Sequence, residues 1–476
     1  MRTSFGRTGV LNVARAAGAL FVIFLAGCTM GPNYHKPAIQ TPDGFRAPDP
    51  PPAGATSLGD LKWFEVFKDE KLQELERTAL AQNYDLRDAV ARVEAARANL
   101  GITRADQFPN VGATGSISAV RLPRNGETPL PPYIKQDLSF GQATLNLLSF
   151  ELDIWGRLRR ATEAARANLL ASEENRKAVI TTLVSDVASA YFSMRDLDYE
   201  LEISQSTLAT RRESLVLIKN RQAGGVATLL DLRQGEQLVY TASETIPALQ
   251  LQIGQTENQI SLLLGKNPGE IARGKSLTDQ EMPEVPPGLP SALLERRPDI
   301  RAAEQNLIAA NAQIGVAKAA YFPQITLSGF LGGQGTQLST LFAGPTSAWN
   351  FTPQVTQPIF TAGRLKNGVR LTEAQRESAL IQYEKTIQTA FAEVSNALIA
   401  HQRVRESRVQ QELLVEALKD RTRLAYVRYR GGVDTLLDAL DADRDLFSSQ
   451  LQLSQIRKDE LVSVVQLYKA LGGGWQ

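Results

Sequence analysis

The chain has 476 residues, with 52 lysines and arginines against 51 aspartates and glutamates, so its formal net charge is only +1. A balance so close to neutral argues against nucleic acid as a partner, because nucleic-acid-binding chains carry an excess of basic residues. The single cysteine, Cys28, excludes a disulfide within the chain.

The first element is a predicted signal peptide at residues 1–27. Arg2, Arg7 and Arg15 precede an apolar run at residues 16–26. The run has the length of the apolar region of an export signal and is too short to span a bilayer. Its removal would take away those arginines and leave the mature chain slightly acidic.

A predicted lipid attachment site follows the signal. The sequence Leu25-Ala26-Gly27-Cys28 places small residues before the cysteine and looks like the lipobox of bacterial lipoproteins. This similarity implies cleavage before Cys28, a diacylglycerol on its sulfur and an acyl chain on its new amino group. The alternative is a buried free thiol in an ordinary secreted domain.

Residues 28–60 are predicted to form a lipid-anchored, extended tether, since residues 32–52 are rich in proline and polar side chains. Thr29 follows the cysteine, where lipoproteins retained at the inner membrane usually have aspartate. We therefore expect a location at the outer membrane.

The remaining sequence contains an internal repeat. Motifs in residues 61–280 recur in the same order in residues 281–476, which predicts two similar structural repeats packed side by side in one domain. Matching pairs are Asp85-Leu86-Arg87 with Asp299-Ile300-Arg301, Gly101 with Gly315, Phe108-Pro109 with Phe322-Pro323, and Gly224-Gly225-Val226 with Gly431-Gly432-Val433. Each repeat should contain a helix, a β-hairpin, a very long helix, a Gly-Gly turn and another helix.

The two β-hairpins are predicted at about 110–154 and about 323–360. Apolar and polar side chains alternate there, as Phe150 and Leu152 do with Glu151, which is typical of outer-membrane strands. The smallest known membrane barrels use about eight strands, so four per chain would require several chains. The alternative is a soluble hairpin that caps a helical bundle.

Very long helices are predicted at about 157–223 and about 363–430. Residues 157–223 and 369–430 contain neither glycine nor proline, and their composition favours helix. At 1.5 Å per residue these windows would be about 100 Å and about 93 Å long.

The first long helix carries apolar residues that predict packing against other helices. The apolar residues at alternating spacings of four and three, as in a coiled-coil seam, are Leu183, Val187, Ala190, Met194, Leu197 and Leu201. A second apolar stripe, which includes Val179, Ile180 and Val184, is expected to be exposed in a single copy and indicates self-association.

Little in the sequence favours an enzyme or a metal site. The histidines are His35 and His401, Cys28 is assigned to lipid, and no phosphate-binding loop or metal-ligand spacing occurs. We expect no enzymatic activity, and no cofactor besides the covalent lipid.

These motifs, in this order along a duplicated chain, resemble those of the outer membrane factors, the TolC-like channels, and among them the OprM/NodT type of efflux lipoprotein. The segments that carry the resemblance are Cys28 with Gly31-Pro32-Asn33-Tyr34, and residues 151–157, 296–304, 429–434 and 471–475. The resemblance covers essentially the whole mature chain.

The resemblance implies a mixed α+β membrane protein. In this family three identical chains each donate four strands to one twelve-stranded β-barrel, which a long α-helical coiled-coil tunnel continues into the periplasm of a Gram-negative bacterium. The implied function is an outer-membrane channel subunit of a tripartite efflux system, a passive duct for drugs or other small toxic compounds that underlies multidrug resistance.

The partners implied by the resemblance are two further copies of the chain, outer-membrane lipid, a periplasmic adaptor (membrane fusion protein) and an inner-membrane pump, commonly of the resistance-nodulation-division type. Two alternatives remain open. One is an exit duct for type I secretion of polypeptides, and the other is a structural or adaptor lipoprotein of the periplasm.

A gate is implied near the second Gly-Gly turn. Asp438 and Asp441 lie three residues apart on one face of the following helix, and they match the acidic pair that narrows the periplasmic aperture of TolC-like channels. Tyr429 and Leu437 match further gate positions. The alternatives are acids that interact with the helix dipole, and a leucine in the core.

The turns at Gly224-Gly225 and Gly431-Gly432 are predicted to need a positive φ. By resemblance, the adaptor would contact the chain around them. Asp434 occupies the position at which the TolC pattern has an arginine, so the hydrogen-bonded latch of that pattern cannot be transferred to this chain.

Overall fold

The computed structural model describes residues 29–42, 44–46, 57–124, 131, 133, 135–283, 285, 292–336, 339, 341 and 343–475. The predicted signal peptide, Cys28 and part of the predicted tether therefore lie outside the described residues.

The helices and strands follow the same order in both halves of the chain. The first half contains α1 (Trp63–Val66), α2 (Glu70–Gln82), α3 (Tyr84–Ala105), β1 (Val111–Arg121), β2 (Asp137–Glu151), α4 (Arg157–Ala223) and α5 (Leu229–Leu263). The second contains α6 (Leu293–Arg296), α7 (Pro298–Ala319), β3 (Gln324–Gly335), β4 (Ser347–Thr356), α8 (Arg364–Arg430) and α9 (Leu436–Ala470). Short 3-10 turns lie at Leu58–Asp60, Leu277–Asp279 and Gly344–Thr346.

Corresponding helices of the two halves also agree in length. Helices α4 and α8 each have 67 residues, and α5 and α9 each have 35. None of the described helices is both long enough and apolar enough to pass through a membrane.

Some element bounds differ from those expected. Helix α8 begins at Arg364 and includes Gly368, because one glycine costs a helix only about 1 kcal/mol. Strands β2 and β4 end at Glu151 and Thr356, earlier than the predicted hairpins. Asp153, just beyond β2, instead accepts hydrogen bonds from the first backbone N–H groups of α4.

Tertiary contacts divide the chain into two compact units, each of which draws on both halves. The sheet unit comprises the described residues up to Pro37, with Val93–Ala171 and Ala303–Tyr383. The helical unit comprises the described residues among Ala38–Arg92, Ser172–Ala302 and Glu384–Gln476. Helices α3, α4, α7 and α8 contribute residues to both units.

The sheet unit contains one antiparallel sheet with the strand order β1-β2-β3-β4. The β2–β3 pairing joins the hairpins of the two halves, with Leu145 opposite Leu331. An irregularity between Leu147 and Phe150 shifts the register near the end of β2. The two hairpins therefore form a single continuous sheet.

The helical unit has a core at the predicted seam of α4. Leu183, Val187, Ala190 and Met194 are all buried there, which confirms the seam at those positions. Leu197 and Leu201, where the predicted seam continues, are only half-buried. The core also holds Val184, and Val179 and Ile180 are partly buried against it, so the expected exposure of the second stripe in a single copy is wrong. Helix α4 packs against α2, α8 and α9 in one core, and those neighbours cover more of its surface than a two-helix seam would.

Candidate channel wall and gate

The sheet has one apolar and one mainly polar face. Ala113, Leu145, Leu331 and Trp349 lie side by side across the four strands, and the last three are 57%, 62% and 75% exposed. The adjacent row, on the opposite face, consists of Thr114, Thr144, Gly332 and Ala348. An exposed apolar face backed by a polar one is typical of strands that separate lipid from a water-filled interior.

The two outer strands present unpaired edges. Within the described chain β1 pairs with β2 alone, and β4 pairs with β3 alone. Exposed apolar side chains also lie on these edge strands, among them Ile117 on β1 and Phe351 on β4. Free backbone groups beside exposed apolar side chains favour pairing with a further strand.

The first described residues, 29–36, form an extended segment that we call the strap, and Arg160 of α4 holds its beginning. The buried Arg160 guanidinium donates from Nε to the Met30 carbonyl oxygen at 3.1 Å and from Nη2 to Asn33 Oδ1 at 2.8 Å. The strap is therefore fixed immediately after the predicted lipidation site.

Helix α7 holds the rest of the strap. Asn311 Nδ2 donates a 2.9 Å hydrogen bond to the Pro32 carbonyl oxygen, and the Tyr34 hydroxyl donates one of 3.1 Å to Glu304 Oε1. The first residues of the predicted tether are thus held against α4 and α7 by hydrogen bonds.

The turns after α4 and α8 have matching backbone conformations. The φ angles of Gly225 and Gly432 are +75° and +73°, in the left-handed region that favours glycine. The first glycine of each pair, Gly224 and Gly431, has no positive φ. Only the second glycine of each predicted pair is therefore required by the backbone conformation.

Asp438 and Asp441 lie in the first turns of α9. The Thr435 hydroxyl donates a 2.6 Å hydrogen bond to Asp438 Oδ2, and Arg444 Nη1 lies 3.2 Å from Asp441 Oδ1. These local contacts suit acids near a helix start, as one interpretation expects. Asp438 and Leu437 are nevertheless exposed, which argues against a core role for the leucine.

Tyr429 connects the end of α8 to the end of α4. Its ring is buried against Ile218, Leu436 and Leu440, and the Arg221 guanidinium carbon lies 4.7 Å from the ring centroid. A guanidinium over an aromatic face is a cation–π contact. Tyr429 thus contributes through its ring to the packing beside both turns.

Asp434, at the position of the arginine in the TolC pattern, is paired within its own turn. Arg428 donates to it from Nε at 2.5 Å and from Nη2 at 2.8 Å. These hydrogen bonds hold the pKa of the Asp434 carboxyl below its usual value. The departure from the family pattern therefore creates a local ion pair.

The sequence reasoning missed a buried ion pair between Arg211 of α4 and Asp443 of α9. Arg211 Nε donates a 2.6 Å hydrogen bond to Asp443 Oδ2, and the side chains are 2% and 9% exposed. A signal existed, because Asp443 falls at the spacing of the apolar residues Leu436, Leu440 and Phe447. A charged residue in such a stripe predicts a buried partner.

Comparisons with known proteins agree with these features. A family model described as outer membrane efflux protein matches residues 75–266 and 289–473. The toluene efflux pump outer membrane protein TtgC of Pseudomonas putida is 41% identical over 462 residues, which cover 96% of this chain and 95% of the relative. Outer membrane protein OprJ of Pseudomonas aeruginosa is 36% identical over 458 residues, with coverages of 96% and 95%.

A solved structure shows the same fold. The open state of the MtrE outer membrane channel of Neisseria gonorrhoeae matches with a TM-score of 0.85 at 32% identity, covering 94% of this chain and 99% of that chain. The similarity therefore extends through both halves of the chain, including the sheet and the long helices.

Proposed function

Because the chain belongs to the outer membrane efflux protein family, we propose that three copies form one duct, through which a pump and an adaptor expel small toxic compounds. Membership confirms the expected family, the TolC-like α+β fold, the outer-membrane location and the role as an outer-membrane channel of tripartite efflux. Members of the family are ducts and not catalysts. The assembly, its partners and its gate are the proposed part.

The two-faced sheet with free edges is the observation that carries the proposal. If β4 of one copy pairs with β1 of the next, three copies close a ring of twelve strands and leave no edge in lipid, where each unpaired backbone group costs several kcal/mol. Leu145 and Leu331 then face lipid, and Thr114 and Thr144 face the interior.

The strap supports attachment of lipid at Cys28. Arg160 and Asn311 hold residues 30–33 by hydrogen bonds, so an anchor two residues earlier is restrained relative to the sheet unit. The proposed modification is a diacylglycerol on the sulfur and an acyl chain on the amino group. It adds a lipid contact to that of the apolar sheet face.

The turns that contain Gly224-Gly225 and Gly431-Gly432 are the proposed contact for a periplasmic adaptor. The exposed side chains of Val226 and Val433 flank them, and small groups of exposed apolar side chains commonly mark protein contacts. The third component is an inner-membrane pump, which on the family pattern is of the resistance-nodulation-division type.

The proposed cargo consists of organic solvents and antibiotics. TtgC of Pseudomonas putida is a toluene efflux protein, and a further relative from the same species is described as an antibiotic efflux pump outer membrane protein. The polar row on the sheet suits a water-filled passage, and we assign the choice of cargo to the pump. Export of polypeptides is the second candidate, but no relative named here supports it.

The gate is proposed at the start of α9. In a trimer Asp438 and Asp441 would form rings of carboxylates that attract cations and narrow the passage, with Leu437 adding an apolar ring. Asp438 and Leu437 are exposed in a single copy and Asp441 is half-buried, which supports this arrangement. Tyr429, stacked with Arg221, would hold the helix ends together beside the rings.

Single-channel conductance of the purified full-length protein in planar bilayers tests the duct and its gate together. We expect discrete conductance that rises in the double variant Asp438→Ala/Asp441→Ala. Discrete conductance that does not rise would remove these acids from the gate. A well-folded protein without conductance in either form would favour the structural lipoprotein.

The cargo needs a separate test. Deletion of the gene in its native bacterium should lower tolerance of toluene and of antibiotics while leaving the set of secreted polypeptides unchanged. Loss of one secreted polypeptide with unchanged tolerance would favour the secretion duct.

A further inference from the structure

The buried pair Arg211–Asp443 connects three helices of the helical unit. Arg211 belongs to α4, its Nη1 donates a 3.0 Å hydrogen bond to the Leu238 carbonyl oxygen of α5, and its guanidinium lies 4.9 Å from the Phe447 ring of α9. Asp443 adds an ion pair from α9. One guanidinium thus fixes the relative placement of α4, α5 and α9.

The fourth helix, α8, is joined at the same level. The Thr422 hydroxyl donates a 3.0 Å hydrogen bond to the Ala442 carbonyl oxygen of α9. Tyr426 of α8 lies near Asp443, and its hydroxyl shares a hydrogen bond with Ser214 of α4. All four long helices are therefore tied by directional contacts close to Asp443.

Packing alone does not explain a charge pair at this place. Asp443 lies in line with Leu436, Leu440 and Phe447, all of them buried, and an apolar residue would continue that stripe. Apolar replacements of buried ion pairs are often as stable or more stable, because two charges lose their hydration on burial. What an ion pair adds is direction, since a guanidinium and a carboxylate bond only in a narrow range of orientations.

The orientation that this ion pair imposes on α9 matters because the proposed gate acids lie on the opposite side of the helix. With 3.6 residues per turn, positions two apart lie about 200° apart around the axis. Asp441 therefore points away from Asp443, and it is half-buried whereas Asp443 is buried. Asp438, one turn earlier than Asp441, is exposed.

We infer that Arg211 and Asp443 are a positioning pair, which sets the rotation of α9 and thereby directs Asp438 and Asp441 into the passage. This inference rests on the proposed gate. Loss of either charge should let α9 rotate, so that the acids leave the axis and the passage opens.

Conductance of single variants is the first test. Asp443→Asn and Arg211→Met each leave the partner charge buried and unpaired, and we expect the open state to be occupied at least about tenfold more often. The matched control is Asp459→Asn, on α9 but about five turns away from Asp441. Asp459 lies 2.9 Å from Lys458 of the same helix and is exposed. The control should conduct like the unaltered protein, and equal effects of the two substitutions would overturn the inference.

A double variant separates positioning from packing. Arg211→Met/Asp443→Leu restores an apolar contact without direction, so we expect unfolding in detergent at the temperature of the unaltered protein or above it, with conductance still raised. Recovery of the closed conductance in this stable double variant would show that the pair only fills space, and would overturn the inference.

Distances between spin labels on α4 and α9 test the positioning pair without relying on the proposed gate. Labels at Lys219→Cys on α4 and Ser448→Cys on α9, two exposed sites, report the relative placement of the helices. The distance distribution should broaden or shift in Asp443→Asn and not in Asp459→Asn. If Asp438→Ala/Asp441→Ala leaves conductance unchanged, the proposed gate is wrong. The distance between the two labels would still show whether Arg211 and Asp443 position α9. An unchanged distribution in Asp443→Asn would overturn the inference.

Discussion

Gly31 of the strap and Gly315 of α7 cross so closely that a Cβ atom on Gly31 would lie 2.5 Å from the Gly315 Cα. A Cβ on Gly315 would in turn lie 2.6 Å from the Met30 carbonyl oxygen and 2.7 Å from the Arg160 side chain. Gly31 also has a φ of +89°. The strap can occupy its place only because both positions lack a side chain.

The first prediction concerns this crossing. Gly315→Ala should displace the strap, because its Cβ would collide with backbone that Arg160 holds. We expect cleavage at the strap in limited proteolysis to become faster, and the unfolding free energy to fall by about 1–3 kcal/mol.

The repeat provides a matched control at Gly101, which corresponds to Gly315 but has nothing within 4 Å of a Cβ. Gly101→Ala should leave the strap protected and raise stability by up to about 1 kcal/mol, since alanine favours helix over glycine. Equal proteolysis of the two variants would contradict the crossing.

The second prediction concerns Glu76 of α2, which is 0% exposed. Neither of its carboxylate oxygens has a hydrogen-bond partner among the described residues. Burial raises the pKa of this carboxyl well above its usual 4.5, opposed only by Arg77. Glu76→Leu should raise the unfolding free energy at neutral pH by about 1–3 kcal/mol.

The effect of Glu76 should depend on pH with a defined sign. Because its folded-state pKa is raised, its favourable contribution is complete below pH 4.5 and is lost as the pH rises through the folded-state pKa, by up to about 1.4 kcal/mol per unit. Thermal unfolding in detergent should show the gain of Glu76→Leu growing with pH. The exposed Glu74 of the same helix is the control, and Glu74→Leu should change stability by less than about 0.5 kcal/mol.

The third prediction concerns Tyr429 at the proposed gate. Its contact with Arg221 uses the ring, so Tyr429→Phe should conduct like the unaltered protein. Tyr429→Leu should lose about 0.5–2 kcal/mol of cation–π stabilisation and increase open-state occupancy by about 2-fold to 30-fold. A large effect of the phenylalanine variant would assign the role to the hydroxyl instead.

The fourth prediction concerns the two faces of β1. Ile117→Lys places a charge on the apolar face, where lysine at mid-membrane depth costs about 2–4 kcal/mol. We expect less folded protein in the outer-membrane fraction. Its neighbour Ser116 lies on the opposite face, and Ser116→Lys should insert normally. Normal insertion of both variants would mean that this face does not meet lipid.

The repeat and the long helices were accessible from the sequence because their signals are local. Helix α4 occupies the window without glycine or proline at Arg157–Ala223, and the seam around Val187 follows from spacing alone. Strand bounds were less accurate. The position at which β2 ends depends on Asp153, whose side chain caps the next helix. The alternation of apolar and polar residues continues past Glu151 and does not indicate this end.

The roles of single residues at the sites needed the tertiary structure. Asp443 was not among the residues that the sequence singled out, because its buried partner Arg211 lies 232 positions away. Asp434 pairs with Arg428, and the Tyr429 ring contacts Arg221. Both contacts depend on how the helix ends pack beside the two Gly-Gly turns.

Gly101 and Gly315 illustrate which properties the sequence determined and which ones the tertiary structure decided. The sequence alone determined that they are equivalent positions on equivalent helices, because a repeat preserves local spacing. Only the tertiary structure decided that Gly315 is crossed by the strap while Gly101 faces open space. The physical reason is that helix formation depends on neighbours in the chain, whereas the room for a side chain depends on whatever distant segment packs against it.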